Sequence, residues 1–246
     1  MQASGKLKKQ NFFNARAVNI FGNIGDAKGS GVQPRWSETD LTTPRSITVS
    51  LRYFLPVYLA AYIIAAFFWR SYVVWKRTGV NPVVFKGSDS AHDFVGRIFK
   101  ALFAMIVAIV IVYAFIPSAY QYVMPLHSLE RTPVRSTGFV LLLISLVWTI
   151  VAQAQMGNSW RIGIDTENRT ELVQAGVFRL CRNPIFVGMI ATLLGLFLVI
   201  PNVGTLITLL VGTILIGIQV RLEEEYLTSM HGDAYNEYCR HVRRWI

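Results

Sequence analysis

Five nearly uncharged apolar runs constrain this chain more than any other feature. They cover roughly 51–69 (LRYFLPVYLAAYIIAAFFW), 101–117, 137–154, 185–200 and 203–220. A run of about 18 or more such residues reads as a membrane-crossing helix. The last two runs are short for a bilayer and are separated only by Pro201-Asn202, which predicts a tight helical hairpin. The composition agrees: 53% of residues are hydrophobic and 15% charged, where a soluble domain carries about a quarter charged. The expected fold is all-α, a polytopic integral membrane protein of about five transmembrane helices with a C-terminal helical hairpin and an interfacial amphipathic helix.

Three regions follow from this pattern. Residues 1–48 form a basic segment rich in Gly, Ser and Asn, without the apolar core of a secretory signal, and read as mobile or surface-lying. Residues 49–155 hold the first three spans. Residues 156–246 hold a long polar loop, the hairpin and a cationic C-terminal helix.

The formal net charge of +10 does not point to nucleic acid, because the Lys and Arg residues are spread over the loops rather than gathered into one stripe. The loop after the first span carries Arg70, Lys76, Arg77, Lys86, Arg97 and Lys100, and the next carries only Arg131 and Arg135. Loop 156–184 and the tail are basic again, which predicts the first loop, the third loop and the C-terminus in the cytosol. The basic N-terminal segment runs against that rule, since an odd span count puts it on the other side. Charge does not distinguish a bacterial inner membrane from the endoplasmic reticulum. Cys181 and Cys239 read as free thiols, and His92, His127, His231 and His241 are scattered without metal-ligand spacing.

Hairpin geometry brings distant residues together. Asn183 lies nineteen residues before Asn202 and Arg221 nineteen after it. Antiparallel helices rising about 1.5 Å per residue therefore return the CRNP segment and RLEEEYL to one membrane face. Asn183-Pro184 has the grammar of a helix start, with an N-cap and a proline whose missing amide costs nothing there. Arg179 and Arg182 add positive field at that mouth, suited to a carboxylate or phosphate; snorkelling to lipid phosphates accounts for them equally well. Opposite stand Glu223, Glu224 and Glu225, suited to a cationic ligand or vicinal hydroxyls, or to a solvated acidic turn in which Glu225 pairs with Arg221. Beyond Gly232, Tyr235, Tyr238, Val242 and Trp245 recur at helical spacing with arginines on the other faces. Such a helix lies in the interface or folds back as an aromatic lid. Small residues Gly188, Thr192 and Gly195 on one helix and Gly204, Thr208 and Gly212 on the next predict a hairpin closed by small-residue contacts.

Taken in order, GVFRLCRNPIFVG, a two-helix hairpin and RLEEEYLTSMHGDAYNEYCRHV resemble the C-terminal half of the isoprenylcysteine carboxyl methyltransferase and phospholipid methyltransferase superfamily. The resemblance covers about 157–246 and includes Gly176, Phe178, Arg179, Arg182, Pro184, Phe186, Gly188, Glu223, Glu224, Leu227, Gly232, Tyr235 and Tyr238. It implies an S-adenosylmethionine-dependent methyltransferase acting on a lipid-like or hydrophobic acceptor that enters sideways from the bilayer. The implied cofactor set is Arg179, Arg182, Asn183, Pro184, Glu223, Glu224, Tyr235, Tyr238 and Trp160, with Glu223 and Arg221 as the implied catalytic pair. The chain departs from the family pattern at Asn183 for a histidine, Gln219 for an arginine, His231 for an aromatic and Arg243 for a proline, which weighs against a prenylcysteine acceptor. Sterol and steroid reductases share a similar C-terminal arrangement, so NADPH in the same cleft is the alternative cofactor. A membrane scaffold without catalysis is the third reading.

Overall fold

The first span is one continuous rod longer than its apolar run. In the computed structural model, which describes residues 45–83, 90–163 and 170–246, α1 (Arg45–Ile63) passes through a π-helical segment, Ile64–Trp69, into α2 (Arg70–Thr78). A π segment loosens the regular carbonyl ladder. Here Gln153 from a neighbouring helix donates its Nε2–H to the Ala66 carbonyl at 3.1 Å. Arg70, at the end of the π segment, reaches the carbonyl of Gly157. The rod stops at Gly79, whose φ of 70° closes a left-handed C-cap. Most of the basic N-terminal segment, residues 1–44, lies outside the described residues, as do Lys86 of the first loop and Arg169 of loop 156–184.

Three more helices are long and apolar enough to cross a membrane: α3 (Ala91–Phe115), α4 (Thr132–Met156) and α6 (Val203–His231). Between the last two, α5 (Pro184–Val199) is apolar but has only 16 residues, about 24 Å of rise. The protein is a multi-pass, all-helical membrane protein, and among the described residues there is no strand beyond two isolated bridges. A last helix, α7 (Asp233–His241), follows Gly232.

The hairpin turn is as tight as the two residues between the runs predict. Asn202 is fully buried and closes a capping box: its Oδ1 accepts from the Thr205 amide at 2.9 Å, while the Thr205 hydroxyl accepts from the Asn202 amide at 3.2 Å. The segment after α3 meets this turn, with the Leu126 amide donating to Pro201 O at 2.9 Å. At the other end of the bundle, the Ile162 amide donates to Pro82 O at 2.8 Å, tying the first and third loops together. The tail joins that same end through the Arg182 amide, which donates to Arg243 O at 2.9 Å. The charge-derived alternation of loops therefore has a structural counterpart.

Two sequence expectations are corrected. The small-residue stripe of α5 packs on α4 rather than on α6. A Cβ on Gly188 would lie 2.3 Å from Thr149 Oγ1, and one on Gly138 of α4 would lie 2.7 Å from Leu198 Cβ. Thr192 completes this contact by donating to Ser145 Oγ at 2.9 Å. Of the α6 glycines, Gly212 faces Leu193 of α5 but Gly204 faces Ile109 of α3. Chain adjacency makes the hairpin partner the obvious candidate, yet the face carrying the small residues decides which helix approaches closely.

The second correction concerns the C-terminus. Helical spacing from Tyr235 to Trp245 suggests one continuous helix, but α7 ends at His241 and Val242 is extended. Arg182 Nη1 donates to the carbonyls of Cys239 and Val242 at 3.1 and 2.9 Å. A guanidinium thus takes up carbonyls at the helix end and turns the tail aside.

Candidate functional site

Helix α6 runs well past its apolar stretch, so RLEEEYL stands on the last turns of a rod whose other end is anchored at Asn202. Its 29 residues rise about 43 Å, more than the roughly 30 Å hydrocarbon layer. The segment before α5 returns to the same height, as equal rise in the two helices requires. Glu224, 9% exposed, is the centre of the resulting cluster. Arg182 contacts its Oε1 through Nε and Nη2, both at 3.2 Å, and Asn183 Nδ2 donates to the same oxygen at 3.2 Å. Arg244 takes Oε2 through Nε at 3.0 Å and Nη2 at 2.7 Å. Three chain segments thus converge on one carboxylate. The Glu224 carboxylate holds the Arg244 guanidinium above its already high pKa.

Asn183 occupies the N-cap position of α5 without capping it. Its side chain makes no cap hydrogen bond, and its amide turns instead to Glu224 and to the Arg244 carbonyl at 3.3 Å. A charged acceptor forms the stronger hydrogen bond and draws the amide away from the helix. Pro184 sits at the first helical position as expected, and its carbonyl accepts from Trp148 Nε1 at 2.7 Å.

The tyrosines of α7 face inward. Tyr235 and Tyr238 are buried, with ring centroids 6.1 Å apart, and the Tyr238 hydroxyl donates to Phe178 O at 2.6 Å. Burial pushes Tyr238 up to about 12 and raises Tyr235 as well, so both remain neutral at physiological pH. Together with Arg182 they dock α7 against the segment that leads into α5.

One residue along α6, the environment changes. Consecutive helical positions point about 100° apart, and Glu223 meets Gln219 rather than the arginines. Gln219 Nε2 donates to Glu223 Oε1 at 2.8 Å and lies 3.1 Å from His92 Nδ1, at the start of α3. An amide NH2 has only donors to offer, so in this contact the acceptor is His92 Nδ1. In the sequence His92 is one of four scattered histidines without metal-ligand spacing. No local spacing marks it, because 127 positions separate it from Gln219.

The remaining predicted residues are dispersed. Arg179 is exposed at the end of the short turn before Leu180. Arg221 is also exposed, and its Nη1 donates back to Gly217 O on its own helix at 2.6 Å. Trp160 is 3% exposed in the turn that ends α4. His231 has a buried Nε2 without a hydrogen-bond partner among the described residues.

The fold and this end of the bundle define a class: a helical membrane protein whose buried ionic cluster joins an arginine–proline segment to a glutamate-bearing helix and a docked tail. Residues 134–234 match the family model described as phospholipid methyltransferase, which bears out the superfamily resemblance over that stretch. No curated protein matches the chain. The matched stretch includes Arg182, Asn183, Gln219, Glu223 and Glu224, while His92, Tyr235, Tyr238 and Arg244 fall outside it.

Proposed function

We propose that the Glu223–Glu224 end of the bundle binds S-adenosylmethionine and directs its methyl group to a lipid-like acceptor on the cytosolic side of the membrane. The observation that carries this reading is the apposition of Arg182 and Asn183 with Glu224, both at 3.2 Å across the hairpin, inside the stretch that matches the methyltransferase family.

The donor set fits the cofactor's charges. Past Pro184, the amides of Ile185 and Phe186 precede the first helical hydrogen bond, from Val187 to Asn183 O at 3.1 Å, and with Arg179 they suit a carboxylate. Glu223 suits an ammonium or a ribose hydroxyl. Arg182, Asn183 and Pro184 act from behind, because their polar atoms already hold Glu224, the tail and Trp148. Tyr235 and Tyr238 keep α7 against the site as a wall. When bound, the cofactor supplies an electrophilic methyl group on a sulfonium.

The chain's contribution is then chiefly positioning, which is worth roughly 7–11 kcal/mol when two reactants are held in line. An amine or hydroxyl acceptor must also lose a proton. Asn183 stands where the family pattern has histidine and does not titrate, so Glu223 takes that proton. Gln219, held in turn by His92, fixes the Glu223 carboxylate for the transfer. A lipidic acceptor reaches Glu223 sideways, with its headgroup at the site and its tails in the bilayer.

The test is calorimetric titration of the full chain in nanodiscs with S-adenosylhomocysteine and, separately, NADPH, repeated on Glu223→Gln. Binding of S-adenosylhomocysteine alone, weakened in the variant, is expected. Binding of NADPH alone transfers the site to reductase chemistry, and binding of neither ligand removes the cofactor assignment.

A further inference from the structure

The far end of the bundle carries a second group of charged and polar side chains, outside the methyl-transfer reading. Three helices bring residues there to one height. Arg52 lies where the first apolar run begins, Tyr113 is two residues before the end of α3, and Arg135 is in the first turn of α4. The Tyr113 hydroxyl lies in the field of both guanidiniums and of Glu130. Arg135 is 5% exposed and pairs with Glu130 at 3.1 Å, and His127 meets the same carboxylate at 3.0 Å.

Among the described residues, two donors in this corner have nothing to donate to. Tyr113 is 4% exposed, and its buried hydroxyl makes no hydrogen bond among the described residues. Arg52 Nε is likewise buried without a partner. The neighbouring ring of Tyr120 stands edge-on at 5.1 Å, but its hydroxyl is engaged by Asn202 Nδ2 at 3.5 Å. Buried donors are almost always satisfied in native proteins. Unmet donors beside two arginines and a single carboxylate call for an acceptor-rich anion.

The surroundings select which anion. Tyr53, Val57 and Phe115, on the same two helices, are 72%, 68% and 66% exposed. In a multi-pass protein these side chains meet lipid, so the corner borders the bilayer at the level of the headgroups. We propose that Arg52, Arg135 and the Tyr113 hydroxyl seat the phosphodiester of a membrane phospholipid in the leaflet opposite the Glu224 cluster. Among the described residues, two arginines against one glutamate leave a positive excess, so the seat favours a headgroup without a compensating amine.

Native mass spectrometry and thermal unfolding of the full chain in detergent test the proposal, with phosphatidylglycerol, phosphatidylcholine or inorganic phosphate added. The parent protein retains phosphatidylglycerol in preference to phosphatidylcholine and melts higher with it. Tyr113→Phe and Arg52→Gln each retain one fewer adduct, with apparent affinity weakened about 10-fold, the scale of one hydrogen bond to a charged group. Tyr113→Phe adds a signature that a packing role does not produce: without lipid it melts above the parent, because a buried unmet hydroxyl is gone. A lower lipid-free melting point for Tyr113→Phe, or undiminished lipid retention in both variants, overturns the assignment. So does inorganic phosphate reproducing the full stabilisation, which makes the ligand a soluble anion rather than a lipid.

Discussion

Glu223 and Glu224 are neighbours on one helix and inhabit different chemical worlds. Glu224 is held by two arginines and an asparagine from two other segments, which leaves its oxygens saturated. Glu223 receives one amide hydrogen from Gln219, itself a helical turn away. A carboxylate that ties three segments together is a fixture of the fold. Its neighbour, held at one oxygen by a neutral amide, retains the capacity to bind a cation or accept a proton. The contrast assigns structure to one glutamate and chemistry to the other, and it can be broken experimentally.

The largest effect is expected at Glu224. Glu224→Ala leaves the guanidiniums of Arg182 and Arg244 facing each other without their shared anion. Removing one partner of a buried ion pair costs about 3–5 kcal/mol, and thermal or chaotrope unfolding in detergent measures it. Release of the tail from the Arg182 segment should accompany the loss, seen as new protease cleavage near residues 241–246. If Glu224→Ala unfolds like the parent, the cluster is not the clasp described here.

Glu223→Gln sharpens the comparison from the other side. The new amide still accepts from Gln219, so stability should stay within about 1 kcal/mol of the parent. Methyl transfer from labelled S-adenosylmethionine into extracted membrane lipid should fall by about 10²-fold or more, the typical contribution of a positioned base. Equal activity in the variant and the parent removes Glu223 from the chemistry. A loss of stability matching that of Glu224→Ala erases the distinction between the two residues.

Tyr238→Phe should cost less, about 1 kcal/mol, through the hydrogen bond to Phe178 O. Because the ring remains in place, α7 should stay docked and unfolding should shift only modestly. A large drop instead assigns the docking of the tail to that hydroxyl rather than to Arg182.

Much of this site was legible in the sequence, for reasons that differ from residue to residue. The apolar runs fixed the span order, and equal helix lengths on either side of Asn202 predicted that CRNP and RLEEEYL return to one face. Arg182 and Glu224 meet there at 3.2 Å. What periodicity does not encode is which of two adjacent carboxylates the arginines take, since that depends on the rotation of α6 about its axis. The partners of the α5 glycines were misassigned for a related reason: chain adjacency favours α6, and packing chose α4. Arg244 and His92 carried no motif at all, because each reaches the site by tertiary contact alone.

His92 therefore gives the finest test. It touches Gln219, not the reacting atoms, and is read as a positioning residue for Glu223. His92→Ala should leave S-adenosylhomocysteine affinity within about threefold of the parent, a change of roughly 0.65 kcal/mol, while turnover falls several-fold further. His92→Asn offers a shorter side chain with an acceptor oxygen and should recover part of that turnover. The split between binding and turnover is the informative feature, because a residue needed only for packing lowers both alike and is not rescued by a restored acceptor. If both substitutions leave turnover unchanged, Gln219 orients Glu223 without help from α3.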